Sequence, residues 1–70
     1  MERQAVQSSN IRSIGYDATT RTLEIEFSSG GVYQYYSVDE AVYEQLISAS
    51  SIGSFFHQHI RDKYQTQRIQ

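Results

Sequence analysis

The chain has 70 residues, 39% apolar and 20% charged, with six basic against eight acidic side chains and no cysteine. That length holds one domain, which buries only about 60% of the surface its unfolded chain exposes. The lack of cysteine excludes a disulfide scaffold, a thiolate metal site and a thiol nucleophile, and a net charge of −2 excludes a molecule-wide field that gathers nucleic acid.

Residues 1–10 carry Ala5 and Val6 as their internal apolar side chains, without a period, and are expected to form a mobile N-terminal arm. From Ile11 to Tyr36 the chain alternates. Ile14 and Tyr16 share one parity, as do Leu23, Ile25 and Phe27, with Thr22, Glu24 and Glu26 between them. Asp17-Ala18-Thr19-Thr20 reads as a turn, and Ser28-Ser29-Gly30-Gly31 supplies the positive φ of a short hairpin loop. Val32 to Tyr36 follows with strand-forming Val and Tyr.

From Ser37 the period becomes helical. Ser37 and Glu40 match a capping box, and Val42, Leu46 and Ala49 form one stripe, widened by Tyr43 and Ile47. Ser50 or Ser51 is placed to cap a second helix carrying Ile52, Phe56 and Ile60, with Phe55 alongside. Gln65 to Gln70 are expected to fray.

The expected fold is α+β: a three-stranded antiparallel meander followed by two helices packed on one sheet face, β-β-β-α-α, over residues 11–64. Ile14, Tyr16, Leu23, Ile25, Phe27, Tyr33 and Tyr35 would pack against Val42, Leu46, Phe56 and Ile60. Ser13, Thr22, Glu24, Glu26, Val32, Gln34 and Tyr36 would line the open face. No apolar run approaches the ~18 residues of a membrane span, and Met1-Glu2-Arg3-Gln4 does not begin a signal peptide. A cytoplasmic protein without membrane contact is expected.

Candidate chemistries are sparse. His57 and His59 lie two apart, about 200° around a helix, whereas zinc pairs need three- or four-residue spacing, so no metal and no cofactor are expected. Glu24, Glu26, Asp39, Glu40 and Glu44 read as a solvated acidic surface, the serines meet no Gly-x-Ser-x-Gly elbow, and Gly30-Gly31 lacks the lysine of a phosphate loop. An enzyme is not expected. Tyr33 and Tyr35 could stack bases from a strand, as RNA-binding sheets do, but their parity matches the helix-covered face and favours core anchors. Gly53 falls in the first turn of the second helix, where alanine is favoured by about 1 kcal/mol. Its presence predicts either an unusual φ or a close neighbour, near Leu46 or the Tyr33–Tyr35 strand.

Charge is unevenly spread. Residues 17–44 set Arg21 against Asp17, Glu24, Glu26, Asp39, Glu40 and Glu44, whereas residues 57–70 set Arg61, Lys63 and Arg68 against Asp62. The C-terminal segment, with Tyr64 and His57 beside those bases, is the one suited to phosphate.

The run Ser8-Ser9-Asn10-Ile11, then Ile14-Gly15-Tyr16-Asp17, Tyr33-Gln34-Tyr35, Ala49-Ser50-Ser51-Ile52-Gly53-Ser54-Phe55-Phe56 and Ile60-Arg61 resembles the KTSC domain. That family is named from the C-terminus of some lysyl-tRNA synthetases and also occurs as single-domain bacterial or phage proteins. The resemblance covers about residues 8–64 and places family-motif positions at Tyr16, Tyr33, Tyr35 and Gly53. Asp39 stands where the family often has a helix-opening proline. The synthetase context implies RNA binding, here through a basic C-terminal helix carrying His57, Arg61, Lys63, Tyr64 and Arg68. The alternative is a protein-interaction or self-association module that uses the open sheet face or a sheet edge.

Overall fold

Alternation over Ile11–Tyr36 becomes three paired strands in the computed structural model, which describes residues Met1–Gln70. The elements are β1 (Gln4–Ala5), β2 (Ile11–Asp17), β3 (Thr22–Phe27), β4 (Val32–Tyr35), α1 (Glu40–Ser48), α2 (Ile52–His59) and β5 (Thr66–Arg68). The fold is α+β, an antiparallel sheet with two helices. The sheet has five strands rather than the three expected, in the spatial order β1-β2-β3-β4-β5.

Both additional strands come from segments read as an arm and a frayed tail. β1 pairs with β2 through Gln4 opposite Ile14 and Ala5 opposite Ser13. Gly15 makes that approach feasible, because a Cβ there would lie 2.5 Å from the Glu2 carbonyl oxygen and 3.1 Å from Arg3 Cγ. β5 pairs with β4 through Tyr33 opposite Arg68 and Tyr35 opposite Thr66. The pairing runs beyond the strand itself, with the Tyr36 amide donating to Gln65 and the Ile69 amide donating to Val32.

The core lies on one sheet face. Ile14, Leu23, Ile25 and Tyr35 meet Val38, Leu46, Phe56 and Ile60, with Tyr16, Phe27 and Tyr33 half-buried at its margin. Each fully buried Ile or Leu contributes about 1.5–3 kcal/mol. Phe56 sets its ring edge-to-face with both Phe27 and Tyr35, so α2 is keyed into the sheet by aromatic contacts. Tyr16 stacks on Tyr43 of α1 at 4.8 Å between ring centres, and its hydroxyl donates to the Val38 carbonyl.

The helix ends differ in part from expectation. α1 starts at Glu40 with Asp39 at its N-cap, and the Ser37–Glu40 capping box does not form, because Ser37 takes φ 60° and Asp39 pairs with Arg21. Ser51 caps α2, its hydroxyl accepting from the Ser54 amide at 3.3 Å. α2 ends at His59, and Asp62, at φ 63°, turns the chain back towards β4. No helix is long and apolar enough to cross a membrane.

The second sheet face is not open as expected. Glu24 and Val32 are 5% and 2% exposed. Arg3 crosses Gly15 to pair with Glu24 and donates to Ser13 Oγ, while Gln34 Nε2 donates to the other Glu24 carboxylate oxygen at 2.8 Å. Tyr36 is half-buried, its hydroxyl bonded to Gln34 and Gln67. A polar network laid down by the arm and the tail therefore occupies the face that period-two reasoning left to solvent.

Candidate functional site

The expected basic helix does not exist as such. Arg61 and Lys63 fall in the turns after α2, and Arg68 sits on β5. The fold nevertheless brings three of the five expected residues around one cleft. His57 and Arg61 line it, and Arg68 stands at the adjoining Tyr33 ring, its guanidinium carbon 5.8 Å from the ring centre. Lys63 is exposed outside the cleft, and Tyr64 is half-buried against the core.

The cleft, of about 330 Å³, opens between α2 and the β3–β4 end of the sheet. Phe27, Tyr33, Tyr35 and Phe56 line its apolar side, and Asn10, Gly53, His57 and Arg61 its polar side. Tyr35 is a core residue at 6% exposure, as its parity implies, whereas Tyr33 is half-buried and belongs partly to the core and partly to the cleft. Burial pushes the Tyr35 hydroxyl above its ordinary pKa, against the neighbouring Thr66 side chain and the Arg61 charge, both of which lower it. Tyr16 is likewise raised, by burial and then by the Glu40 carboxylate.

Arg61 Nη1 donates to His57 Nδ1 at 3.2 Å. An imidazole that accepts at Nδ1 keeps its proton at Nε2, so the pair presents only donors beyond itself. His59 packs instead on Phe55, with ring centres 4.6 Å apart, so the two histidines serve different neighbours.

The cations divide sharply by partner. Arg3 pairs with Glu24, Arg12 with Glu26 and Arg21 with Asp39. Arg61 and Lys63 form no ion pair, and Arg68 Nε donates to the main-chain oxygen of Gln70 at 2.9 Å. The acids that sequence reasoning set against phosphate are thus in part paired within the fold, while the C-terminal bases meet no acidic side chain.

A second cleft, of about 430 Å³, lies beside the first, walled by Gln7–Asn10 of the arm and by Ser50–Ser54 at the start of α2. Sequence reasoning missed this wall because it read residues 1–10 as mobile. The signal available was the Ser8-Ser9-Asn10 run itself, three consecutive hydrogen-bonding side chains leading into the buried Ile11. Gly53 faces this wall rather than Leu46 or β4. A Cβ on it would stand 3.5 Å from both Ser8 Oγ and Asn10 Oδ1, an ordinary contact.

Comparison with known proteins gives consistent matches. The family model described as KTSC domain matches residues 7–64. A KTSC domain protein of Yersinia pestis, known from its crystal structure, superposes with a TM-score of 0.97 at 45% identity, covering 99% of this chain and 97% of that one. An uncharacterised protein of Stutzerimonas stutzeri (strain A1501) is 48% identical over 58 residues, 83% of this chain and 82% of that protein. A lysine–tRNA ligase of Trichormus variabilis is 40% identical over 63 residues, 90% of this chain but 11% of the ligase.

Proposed function

The chain belongs to the KTSC domain family, and from that premise we propose that it is a non-catalytic, cytoplasmic binding module for RNA, engaged through its C-terminal cations. The observation that carries this reading is the division of charge. Three arginines are tied to carboxylate side chains, and Arg61, Lys63 and Arg68 are not, Arg68 bonding only to the Gln70 main-chain oxygen. Phosphate binding draws its free energy from cations that release counterions, which a base already held by a carboxylate supplies poorly.

The placement of those cations adds support. Arg61 and His57 flank half-buried rings, an arrangement suited to a backbone phosphate beside an unstacked base. That geometry favours single-stranded over duplex RNA. A similar segment also lies within a lysine–tRNA ligase, whose name places that enzyme on tRNA.

The test is a fluorescence titration of short single-stranded and duplex RNA at two salt concentrations. Three phosphate contacts predict a slope of about −2 on logarithmic axes for single strands, with little dependence on sequence. Charge reversal at Arg61→Glu with Lys63→Glu is expected to abolish binding. Binding that survives the reversal, or that falls with Tyr36→Ala instead, would move the site to the other sheet face. No binding at low salt would favour the protein-interaction reading. That reading now rests on the exposed outer edge of β5, since Val32 is buried.

A further inference from the structure

The two clefts meet at Gly53. Asn10, Gly53 and His57 line both, so together they form one trough that changes character along its length. On one side lie the rings of Phe27 and Tyr33 with Arg61 at the rim. On the other lie the hydroxyls of Ser8, Ser51 and Ser54 with the Asn10 amide, and Ile52 is the single apolar residue.

Gly53 itself calls for an explanation. Helix formation favours alanine over glycine, and a methyl group at this position would meet Ser8 and Asn10 at ordinary contact distance. Neither backbone conformation nor packing requires glycine here. What a methyl group would change is the trough, by raising its floor where the aromatic part passes into the hydroxyl-lined part.

We propose that this trough holds one ribonucleotide unit of a bound RNA strand, with its base against Phe27 and Tyr33, its ribose among Ser8, Asn10 and Ser54, and the glycosidic link passing over Gly53. The inference rests on the RNA-binding reading above and specifies which part of the strand is read. Each cleft falls within the 300–1,000 Å³ typical of small-ligand sites. A ribose 2′-hydroxyl both donates and accepts, and so do the serine hydroxyls and the asparagine amide that face it. That hydroxyl is the group by which a protein separates RNA from DNA. The site therefore discriminates by sugar, while Arg61 and Lys63 supply a contact to phosphate that both nucleic acids share.

The experiment is fluorescence anisotropy at low salt with one single-stranded sequence prepared as RNA, as DNA and as 2′-O-methyl RNA. The proteins are wild type, Gly53→Ala, Asn10→Ala and the Arg61→Glu/Lys63→Glu pair, each with its melting temperature measured. Wild type is expected to bind RNA about tenfold more tightly than either analogue, the effect of losing one or two hydrogen bonds. Gly53→Ala is expected to weaken RNA binding by about tenfold with an unchanged or higher melting temperature, and Asn10→Ala to bring the RNA and DNA affinities together. Equal affinity of wild type for RNA, DNA and the methylated strand, abolished in every case by the charge-reversed pair, would overturn the ribose site and leave the charge-based reading standing. Wild-type affinity in Gly53→Ala would also overturn it. Failure of wild type to bind any of the three strands would remove the RNA-binding reading and this inference with it.

Discussion

The bases near the start of the chain and those near its end have opposite fates. Arg3 lies across Gly15 into the buried Glu24, and Arg12 and Arg21 reach carboxylates on the sheet and at the α1 cap. Arg61, Lys63 and Arg68 meet no carboxylate side chain, Arg68 bonding instead to the main-chain oxygen of Gln70, and two of them border aromatic rings. The first group ties the arm, the sheet and the α1 cap together, and the second leaves charge at a cleft. The same residue type serves cohesion in one place and is available for contact in the other, and only the surroundings separate the two roles.

The largest expected effect tests where the core ends and the cleft begins. Tyr35→Ala is expected to cost about 3–5 kcal/mol, because a buried ring leaves a cavity, and in a domain this small that approaches the whole stability. Tyr33→Ala, half-buried between Phe27 and Arg68, is expected to cost about half as much. Urea denaturation compares them, and equal costs would place Tyr33 wholly in the core.

Glu24→Ala addresses the cohesive cations. It strips Arg3 and Gln34 of their acceptor on a nearly closed face. The expected loss is about 2–3 kcal/mol, below that of a fully buried pair because Arg3 keeps some contact with water. A change under about 0.5 kcal/mol would show that the arm is not held by this contact.

Alkaline pH gives a smaller effect. The fold holds the Tyr16 and Tyr35 hydroxyls above their ordinary pKa, so the folded state favours their protonated forms. Their contribution is complete below about pH 10 and is lost as pH rises through the folded values, because the unfolded chain ionises first. The melting temperature should therefore fall above about pH 10, and Tyr35→Phe should flatten that fall.

The smallest effect is expected from Arg61→Glu with Lys63→Glu. Both side chains are exposed and without ion-pair partners, so stability should change by no more than about 0.5 kcal/mol even if the proposed RNA contact is lost. A large loss of stability would dissolve the distinction between the two sets of bases.

The central strands and both helices were legible in the sequence because their apolar side chains repeat at the period of the element and face one core. The parity of Leu23, Ile25 and Tyr35 alone places them on the helix-covered face. β1 and β5 were not legible. They span two and three residues, carry exposed side chains and have no alternation, so they exist as strands because β2 and β4 offer them hydrogen-bonding edges. Everything that depends on those edges was hidden as well. Glu24 has the parity of an outward residue, and Arg3 crossing Gly15 covers it together with Gln34. Arg68 is set opposite Tyr33 by a pairing between residues far apart in sequence, which no local pattern encodes. The candidate site was half visible for the same reason. Its charge could be counted, but the wall supplied by Ser8 and Asn10 depends on where the arm returns.

Because the strands lie in space in the order in which they occur in the chain, the polypeptide traverses the sheet once from margin to margin. With neighbouring strands about 4.8 Å apart, β1 and β5 are displaced by about 19 Å. A tether joined at Met1 emerges at the β1 margin, whereas one joined at Gln70 emerges beside Val32, next to Tyr33 and Arg68. The two attachment points are therefore not equivalent. Immobilisation or fusion through the N-terminus leaves the cationic cleft clear, while any bulk added at the C-terminus stands at its rim and competes with whatever the cleft receives.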